Sequence, residues 1–176
     1  MDMAAPAGSP DRTDRNVGEQ LMIGRPTVSD GVACWRIAAA SGVLDVNSRY
    51  AYLLWCRDFA ATSVVARDGA DVIGFVTGFR RPDEPSTLVV WQVAVDEVAR
   101  GRGVAGRMLD ALFDAVPDVG HLETTITPDN EGSIALFSRF AQRRGAEVRR
   151  SELFSAELLG AGHEPEILFR IGPVRH

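Results

Sequence analysis

The chain has 176 residues, a formal net charge of -5 and 45% hydrophobic residues, values typical of one globular domain with a substantial core. All 19 basic residues are arginines, which excludes a Schiff-base lysine and a Walker-type phosphate lysine. The acidic balance argues against general nucleic-acid binding, because that binding depends on basic side chains. It is compatible with a small cationic substrate.

The two cysteines, Cys34 and Cys56, lie in apolar stretches and lack the Cys and His spacing of a zinc site. We therefore expect buried thiols in a reducing compartment and no bound metal. No run reaches the roughly 18 apolar residues of a membrane span, and the amino terminus lacks the apolar core of a signal peptide. These features predict a cytoplasmic protein without a membrane partner.

Residues 1–20 combine proline, glycine and charge with little apolar content, so we expect a disordered N-terminal tail before a single domain at residues 21–176. A first strand is predicted near residues 21–26. Ser29 and Asp30 offer caps for a helix that ends near Gly42. A loop then leads to a second, largely buried helix at residues 51–59.

The middle of the chain alternates β-forming runs with turn signals. Residues 87–95 are a nearly continuous β-forming run and predict a central strand buried on both faces. A glycine-rich turn at 100–106 and an amphipathic helix ending before Pro117 follow it. The other predicted elements are strands at 63–67, 72–79, 121–127, 147–154 and 166–171 and a helix from about Asn130 to Gly145.

The turn Arg100–Ala105 reads RGRGVA and fits the pattern R/Q-x-x-G-x-G/A between a strand and a helix. Glycines let backbone amides approach an anion, and the start of a helix adds unpaired N–H donors and a favourable dipole. The turn is therefore a candidate pyrophosphate site. The alternative is a plain strand-to-helix turn, since short glycine patterns recur by chance.

The stretch WQVAVDEVARGRGVA, together with the asparagine that begins the next helix, resembles the acetyl-CoA site of the GNAT family of N-acetyltransferases. The resemblance implies an α/β (α+β) GNAT fold, with a central mixed, mostly antiparallel twisted sheet of six to seven strands flanked by about four helices. It also implies acetyl-CoA as co-substrate. The residues that it assigns to acetyl-CoA are Val93, Val95, Arg100, Gly101, Arg102, Gly103, Val104, Ala105, Asn130, Ser133 and Phe137.

Within that family, five segments resemble the diaminobutyrate acetyltransferases of ectoine synthesis: SGVLDVNSRYAYLL, GFVTGFRRP, VWQVAVD, TITPDN and GHEPEILFR. This resemblance covers most of residues 41–171. It implies acetylation of the 4-amino group of L-2,4-diaminobutyrate, and a homodimer. Two alternatives stay open: another amine acceptor, such as a protein amino terminus, a polyamine or an aminoglycoside, or a non-catalytic module that binds acetyl-CoA.

The chemistry needs a neutral amine, a donor for the developing oxyanion and a means of stabilising the departing thiolate. The catalytic candidates are the carboxylates of Asp45 and Glu166, the imidazole of His163 and the backbone amide of Val95. Arg49 or Arg80 is a candidate for the substrate carboxylate. The candidates for binding the substrate are Asp45, Asn47, Tyr50, Tyr52, Trp91, His163, Glu164 and Glu166.

Each candidate also has a structural interpretation. Asp45 and Asn47 fit a turn in which their side chains bond the local backbone, the aromatic residues fit a core, and residues 163–166 fit a solvated loop. Phe137 occupies the position where many GNAT enzymes carry a tyrosine that protonates the thiolate. Either dipoles and water stabilise the thiolate here, or another group acts as the acid.

Overall fold

The computed structural model describes residues 21–42 and 44–174, so the predicted tail at residues 1–20 lies outside the described residues. One seven-stranded sheet has the order β1-β2-β3-β4-β5-β7-β6. Neighbouring strands are antiparallel except β4 and β5, which are parallel. The strands are β1 Leu21–Gly24, β2 Val64–Asp68, β3 Asp71–Arg81, β4 Glu84–Val95, β5 His121–Ile126, β6 Val148–Phe154 and β7 Glu166–Ile171.

Four helices of ten or more residues cover the two faces of this sheet within the described ranges. They are α1 Gly31–Ser41, α2 Arg49–Asp58, α3 Val104–Ala115 and α4 Glu131–Arg143, and a four-residue helix, α5 Ala156–Leu159, precedes β7. The α/β fold predicted from the sequence is confirmed. The other predicted elements are present with ends that differ slightly from the prediction, such as β3, predicted at 72–79 and observed at Asp71–Arg81. The helix α5 was not predicted, and β4 begins earlier than predicted, at Glu84, because Pro85 weakens the strand signal.

Each face of the sheet has its own hydrophobic core. The larger core joins the sheet to α3 and α4 and includes Met108, Leu112, Phe113, Phe137 and Phe140. The smaller core joins the sheet to α1 and α2, and both cysteines are buried in it as free thiols. Each large apolar side chain that is fully buried contributes on the order of 2 kcal/mol, so both helix pairs are held firmly against the sheet.

A β-bulge in β4 changes the direction of its side chains. Val90 pairs with Gly78 and Gln92 pairs with Thr77, so Trp91 is the extra residue on β4. Before the bulge Leu88 and Val90 belong to the larger core; after it Ala94 belongs to the smaller core. The prediction that the whole strand is buried on both faces is wrong at Trp91, which is 40% exposed.

The parallel strands β4 and β5 separate from each other near the bulge at Trp91. They pair only from Thr87 to Val89, opposite residues 121–123. Beyond that point β4 continues to Val95 and β5 to Ile126 without pairing to each other. The two strands therefore open into a wedge whose apex lies just before the bulge.

Gly78 allows the close backbone approach at this bulge. A Cβ placed on residue 78 would lie 2.6 Å from the Val89 carbonyl oxygen and 3.0 Å from the Thr62 carbonyl oxygen. Real Cβ atoms do not tolerate such contacts with backbone, so any side chain here displaces a strand.

We expect Gly78→Ala to lower the free energy of unfolding by about 1 to 3 kcal/mol, because the added methyl group overpacks the bulge. The measurement is urea unfolding followed by circular dichroism. Gly24→Ala is the matched control, since Gly24 also lies in a strand but a Cβ there meets nothing within 4 Å. Equal stability of the two variants would contradict the role given to Gly78.

Candidate active site

The glycine-rich turn between β4 and α3 has the conformation that glycine favours. Gly101 and Gly103 have φ values of 75° and 74°, in the left-handed region. Gly103 is the N-cap of α3, which begins at Val104, so the first N–H groups of the helix emerge beside the turn. A turn cleft of about 770 Å³ opens there, lined in part by Arg100, Gly101, Gly103, Val104 and Ala105.

A second cavity, the strand cleft, lies between the end of β4 and the start of α4 and has a volume of about 690 Å³. The Asp96 N–H donates to the Ile73 carbonyl oxygen on β3 at 2.8 Å. Because backbone direction alternates along a strand, Val93 and Val95 direct their N–H and C=O groups to the opposite edge. That edge faces the strand cleft, which both residues line.

The third cavity, the wedge slot, fills the opening between β4 and β5 and has a volume of about 320 Å³. Eight of its residues were predicted from the sequence for the substrate or for acetyl-CoA: Asp45, Asn47, Trp91, Val93, Asn130, Ser133, Phe137 and Glu166. They come from the α1–α2 loop, β4, α4 with its N-cap, and β7. The slot therefore collects side chains that are far apart in sequence.

The three cavities are neighbours that share lining residues. The turn cleft and the strand cleft share Val95, Arg100 and Gly132. The strand cleft and the wedge slot share four residues, which we call the junction: Val93, Thr127, Asn130 and Ser133. A long ligand that starts at the glycine turn can run along β4 and end at the junction.

Glu166 leaves part of its carboxylate without a protein partner. Its Oε2 atom is buried and has no hydrogen-bond partner in the described part of the chain. A buried carboxylate oxygen without a partner costs free energy, which a cationic ligand would recover through a charge-assisted hydrogen bond. Glu166 and Asp45, which line the same slot, therefore favour a cationic ligand.

A buried polar bridge holds the α1–α2 loop against β4, and the sequence analysis missed it. The Tyr52 hydroxyl donates to Gln92 Oε1 at 3.0 Å, and Gln92 Nε2 donates to the Asp45 carbonyl oxygen at 3.0 Å. Burial raises the pKa of the Tyr52 hydroxyl, and its bonds with Gln92 and Asn47 offset only part of that rise. Tyr52 thus stays a neutral donor. The bulge provides this contact, because it turns Gln92 toward α2.

Trp91 is held by an aromatic stack. Its ring lies 4.2 Å from that of Trp55, which also stacks on Phe59 at 4.6 Å. Trp55 was not predicted as part of the site. Its spacing of four residues from Phe59 on a predicted helix was the available signal. The stack fixes one face of Trp91, and Trp91 also lines the wedge slot.

Several predicted ligands lie outside the residues that line these cavities. Tyr52 is buried beneath the slot, where it supports Gln92, and Tyr50 is 71% exposed at the start of α2. His163 and Glu164 are exposed in the loop before β7, and Arg102 is exposed in the glycine turn. Their predicted roles remain predictions.

The two arginines considered for a substrate carboxylate are engaged elsewhere. The Arg49 guanidinium lies 4.2 Å from the centre of the Trp35 ring. Arg80 donates to the carbonyl oxygens of Pro85 and Pro117. Neither arginine lines the wedge slot, so the structure gives no support to that role.

Within residues 21–42 and 44–174, no three His, Cys, Asp or Glu side chains lie close enough together to hold a metal ion. None of the helices described in those ranges has the length and apolar character needed to cross a bilayer.

Comparison with known proteins identifies the family. The profile of the acetyltransferase (GNAT) family matches residues 32–141. The L-2,4-diaminobutyric acid acetyltransferase of Streptomyces coelicolor is 58% identical over 159 residues, which cover 88% of this chain and 94% of that protein. The corresponding enzyme of Marinococcus halophilus is 46% identical over 158 residues, covering 88% and 91%.

A solved structure agrees with these relatives. Diaminobutyrate acetyltransferase EctA from Paenibacillus lautus, in complex with L-2,4-diaminobutyric acid and coenzyme A, superimposes with a TM-score of 0.85 at 37% identity. The match covers 89% of this chain and 97% of that one. The chain therefore belongs to the acetyltransferase (GNAT) family, and within it to the L-2,4-diaminobutyric acid acetyltransferases.

We expect Gln92→Leu to release the α1–α2 loop, because it leaves the Tyr52 hydroxyl and the Asp45 carbonyl oxygen without partners. The expected loss in free energy of unfolding is about 1 to 3 kcal/mol. Hydrogen exchange at residues 44–48 should accelerate. Tyr52→Phe removes one bond of the bridge, and the double variant should lose less than the sum of both losses. Unchanged exchange at residues 44–48 would contradict the bridge.

Proposed function

We propose that the enzyme transfers the acetyl group of acetyl-CoA to the 4-amino group of L-2,4-diaminobutyrate, giving N4-acetyl-L-2,4-diaminobutyrate and CoA. The observation that carries the choice of acceptor is the buried oxygen of Glu166 in the wedge slot, which has no hydrogen-bond partner among residues 21–42 and 44–174. Diaminobutyrate carries two ammonium groups near neutral pH, and the slot offers two carboxylates, Asp45 and Glu166. The named relatives and the Paenibacillus lautus complex support the same acceptor.

The residues of the turn and strand clefts fit acetyl-CoA, which supplies an activated acetyl thioester when bound. The glycine turn and the first N–H groups of α3 suit a pyrophosphate, since they place several donors and the positive end of a helix dipole together. The backbone edge of Val93 and Val95 that lines the strand cleft suits a ligand arm that contains amides, with the Val95 carbonyl oxygen already accepting from Arg100 Nε at 3.3 Å. Arg100 lines both clefts and adds positive charge.

Backbone and side-chain groups of the slot would stabilise the oxyanion, bind the ammonium groups and accept a proton. The Val95 or Val93 N–H would donate to the developing oxyanion, a contribution often worth about 3 kcal/mol in the transition state. Asp45 and Glu166 would hold the two ammonium groups and accept the proton that the reacting amine must lose. Trp91 would present an aromatic face and edge beside the same charge.

We further propose that the enzyme works in the cytoplasm as a homodimer and that its product feeds ectoine synthesis for osmoprotection. Exposed apolar side chains near β6 and α5 support a protein interface: Leu153 is 45% exposed, Phe154 46% and Leu158 76%. The sequence resemblance to ectoine-pathway enzymes supports the metabolic role.

We expect purified enzyme to release CoA from acetyl-CoA with diaminobutyrate far faster than with other amines. A panel should include 2,4-diaminobutyrate, a polyamine, an aminoglycoside and a peptide with a free amino terminus, with kcat/KM measured for each. A higher kcat/KM for one of the other amines would reassign the acceptor. Binding of acetyl-CoA by calorimetry without turnover on any amine would indicate a non-catalytic module.

We expect Glu166→Gln to raise KM for diaminobutyrate about 10- to 100-fold, because it removes a buried charge that pairs with an ammonium group. KM for acetyl-CoA should change little, since Glu166 lines the wedge slot and not the strand or turn cleft. Glu152→Gln is the matched control, as Glu152 is exposed on the neighbouring strand β6. If both variants have the wild-type KM for diaminobutyrate, Glu166 does not bind the amine.

A further inference from the structure

This inference rests on the proposed function. In that function, acetyl transfer takes place at the junction between the strand cleft and the wedge slot. An acetyl group that arrives through the strand cleft meets an amine in the wedge slot only where the two cavities join. Four residues line both cavities: Val93, Thr127, Asn130 and Ser133. The sulfur of the thioester must therefore lie beside these residues when its bond breaks.

The departing sulfur becomes negatively charged and needs a hydrogen-bond donor. Phe137 lines the slot and is 2% exposed, but a phenyl ring has no donor. Ser133 lies four residues earlier on α4, so both side chains lie on the same face of the helix. Ser133 also lines the wedge slot, so the helix face that carries Phe137 presents a hydroxyl to the same cavity.

The helix cap leaves the Ser133 hydroxyl available. Asn130 Oδ1 accepts from the Ser133 backbone N–H at 3.0 Å, which fixes the Asn130 amide at the N-cap of α4. The Ser133 hydroxyl takes no hydrogen-bond partner among residues 21–42 and 44–174. It also lies in the first turn of a 13-residue helix, where the helix dipole favours negative charge.

We propose that the Ser133 hydroxyl donates a hydrogen bond to the sulfur of CoA as the thioester bond breaks, and that it thereby replaces the donor that Phe137 lacks. The amine nitrogen forms a bond to the carbonyl carbon, and the carbon–sulfur bond breaks with its electron pair left on sulfur. The proton lost by the nitrogen ends on the sulfur, giving an amide and the CoA thiol. Ser133 keeps its own proton overall, because an alcohol is a weaker acid than a thiol.

The direct test titrates the thiol of bound CoA without any amine present. Ultraviolet absorbance of the thiolate is followed against pH in complexes of CoA with wild-type enzyme and with Ser133→Ala. The donor stabilises the thiolate, so its loss should weaken the acidity of the bound thiol about 10- to 100-fold. Ser133→Thr retains a hydroxyl and should restore much of the wild-type titration.

The matched control is Ser138→Ala, which changes a serine on the same helix that lines none of the three cavities. In turnover, Ser133→Ala should lower kcat about 10- to 100-fold while KM for acetyl-CoA stays within about threefold. Thr127→Val removes the other side-chain hydroxyl of the junction and tests it as the competing donor.

Failure of the Ser133 role and failure of the proposed function give different results. If wild-type enzyme acetylates diaminobutyrate and Ser133→Ala titrates and turns over like wild type, Ser133 is not the donor and only this inference is overturned. A titration shift that appears in Thr127→Val instead assigns the donor to Thr127 and also overturns it. If wild-type enzyme binds no CoA, the proposed function itself is wrong.

Discussion

The bulge at Trp91 is the constraint on which the rest of the site depends. One extra residue in β4 reverses the direction of the side chains that follow it. Val93 and Val95 then pack toward the larger core, and their backbone groups face the strand cleft. The same reversal turns Gln92 toward Tyr52 and the α1–α2 loop. A regular strand would close the wedge and remove both the cavity and the bridge.

The wedge slot combines a hydrophobic frame with a few polar groups whose hydrogen bonds are incomplete. Both polar side-chain atoms of Gln92 have partners in the Tyr52–Gln92–Asp45 bridge, which suits a structural support. Glu166, by contrast, keeps a buried oxygen that has no partner among the residues that the structure describes. Such an oxygen lowers stability in the unliganded protein and is compensated only when a donor binds. The bridge residues therefore maintain the shape of the slot, whereas Glu166 is available to bind a ligand.

Local patterns predicted most of the fold. The glycine turn is a signal within a few residues, and it lies where it was expected. The predicted cap of α1 is wrong, because Asp30 makes no side-chain cap bond and pairs instead with Arg67 on β2. The family resemblance supplied Asp45, Trp91 and Glu166, and the structure brings all three into one slot. The bulge at Trp91 could not be predicted from the sequence, because a continuous run of β-forming residues has the same pattern with or without an extra residue.

Contacts between distant residues could not be predicted. Tyr52 and Gln92 are 40 positions apart, and only the assembled sheet places them together. Tyr50 and His163 illustrate the opposite error. Both belong to segments that resemble the family, but both side chains are exposed to solvent and line none of the three cavities. Arg49 and Arg80 likewise found partners in Trp35 and in backbone carbonyls that no sequence spacing reveals.

A crystal structure of the enzyme with CoA and diaminobutyrate tests the proposed site most directly. We expect the pyrophosphate against Gly101 and Gly103, the sulfur at the junction beside Val93 and Ser133, and the 4-amino nitrogen in the wedge slot between β4 and β5. Density for CoA elsewhere on the protein, or a diaminobutyrate whose 4-amino group points away from the sulfur, would contradict the proposed site.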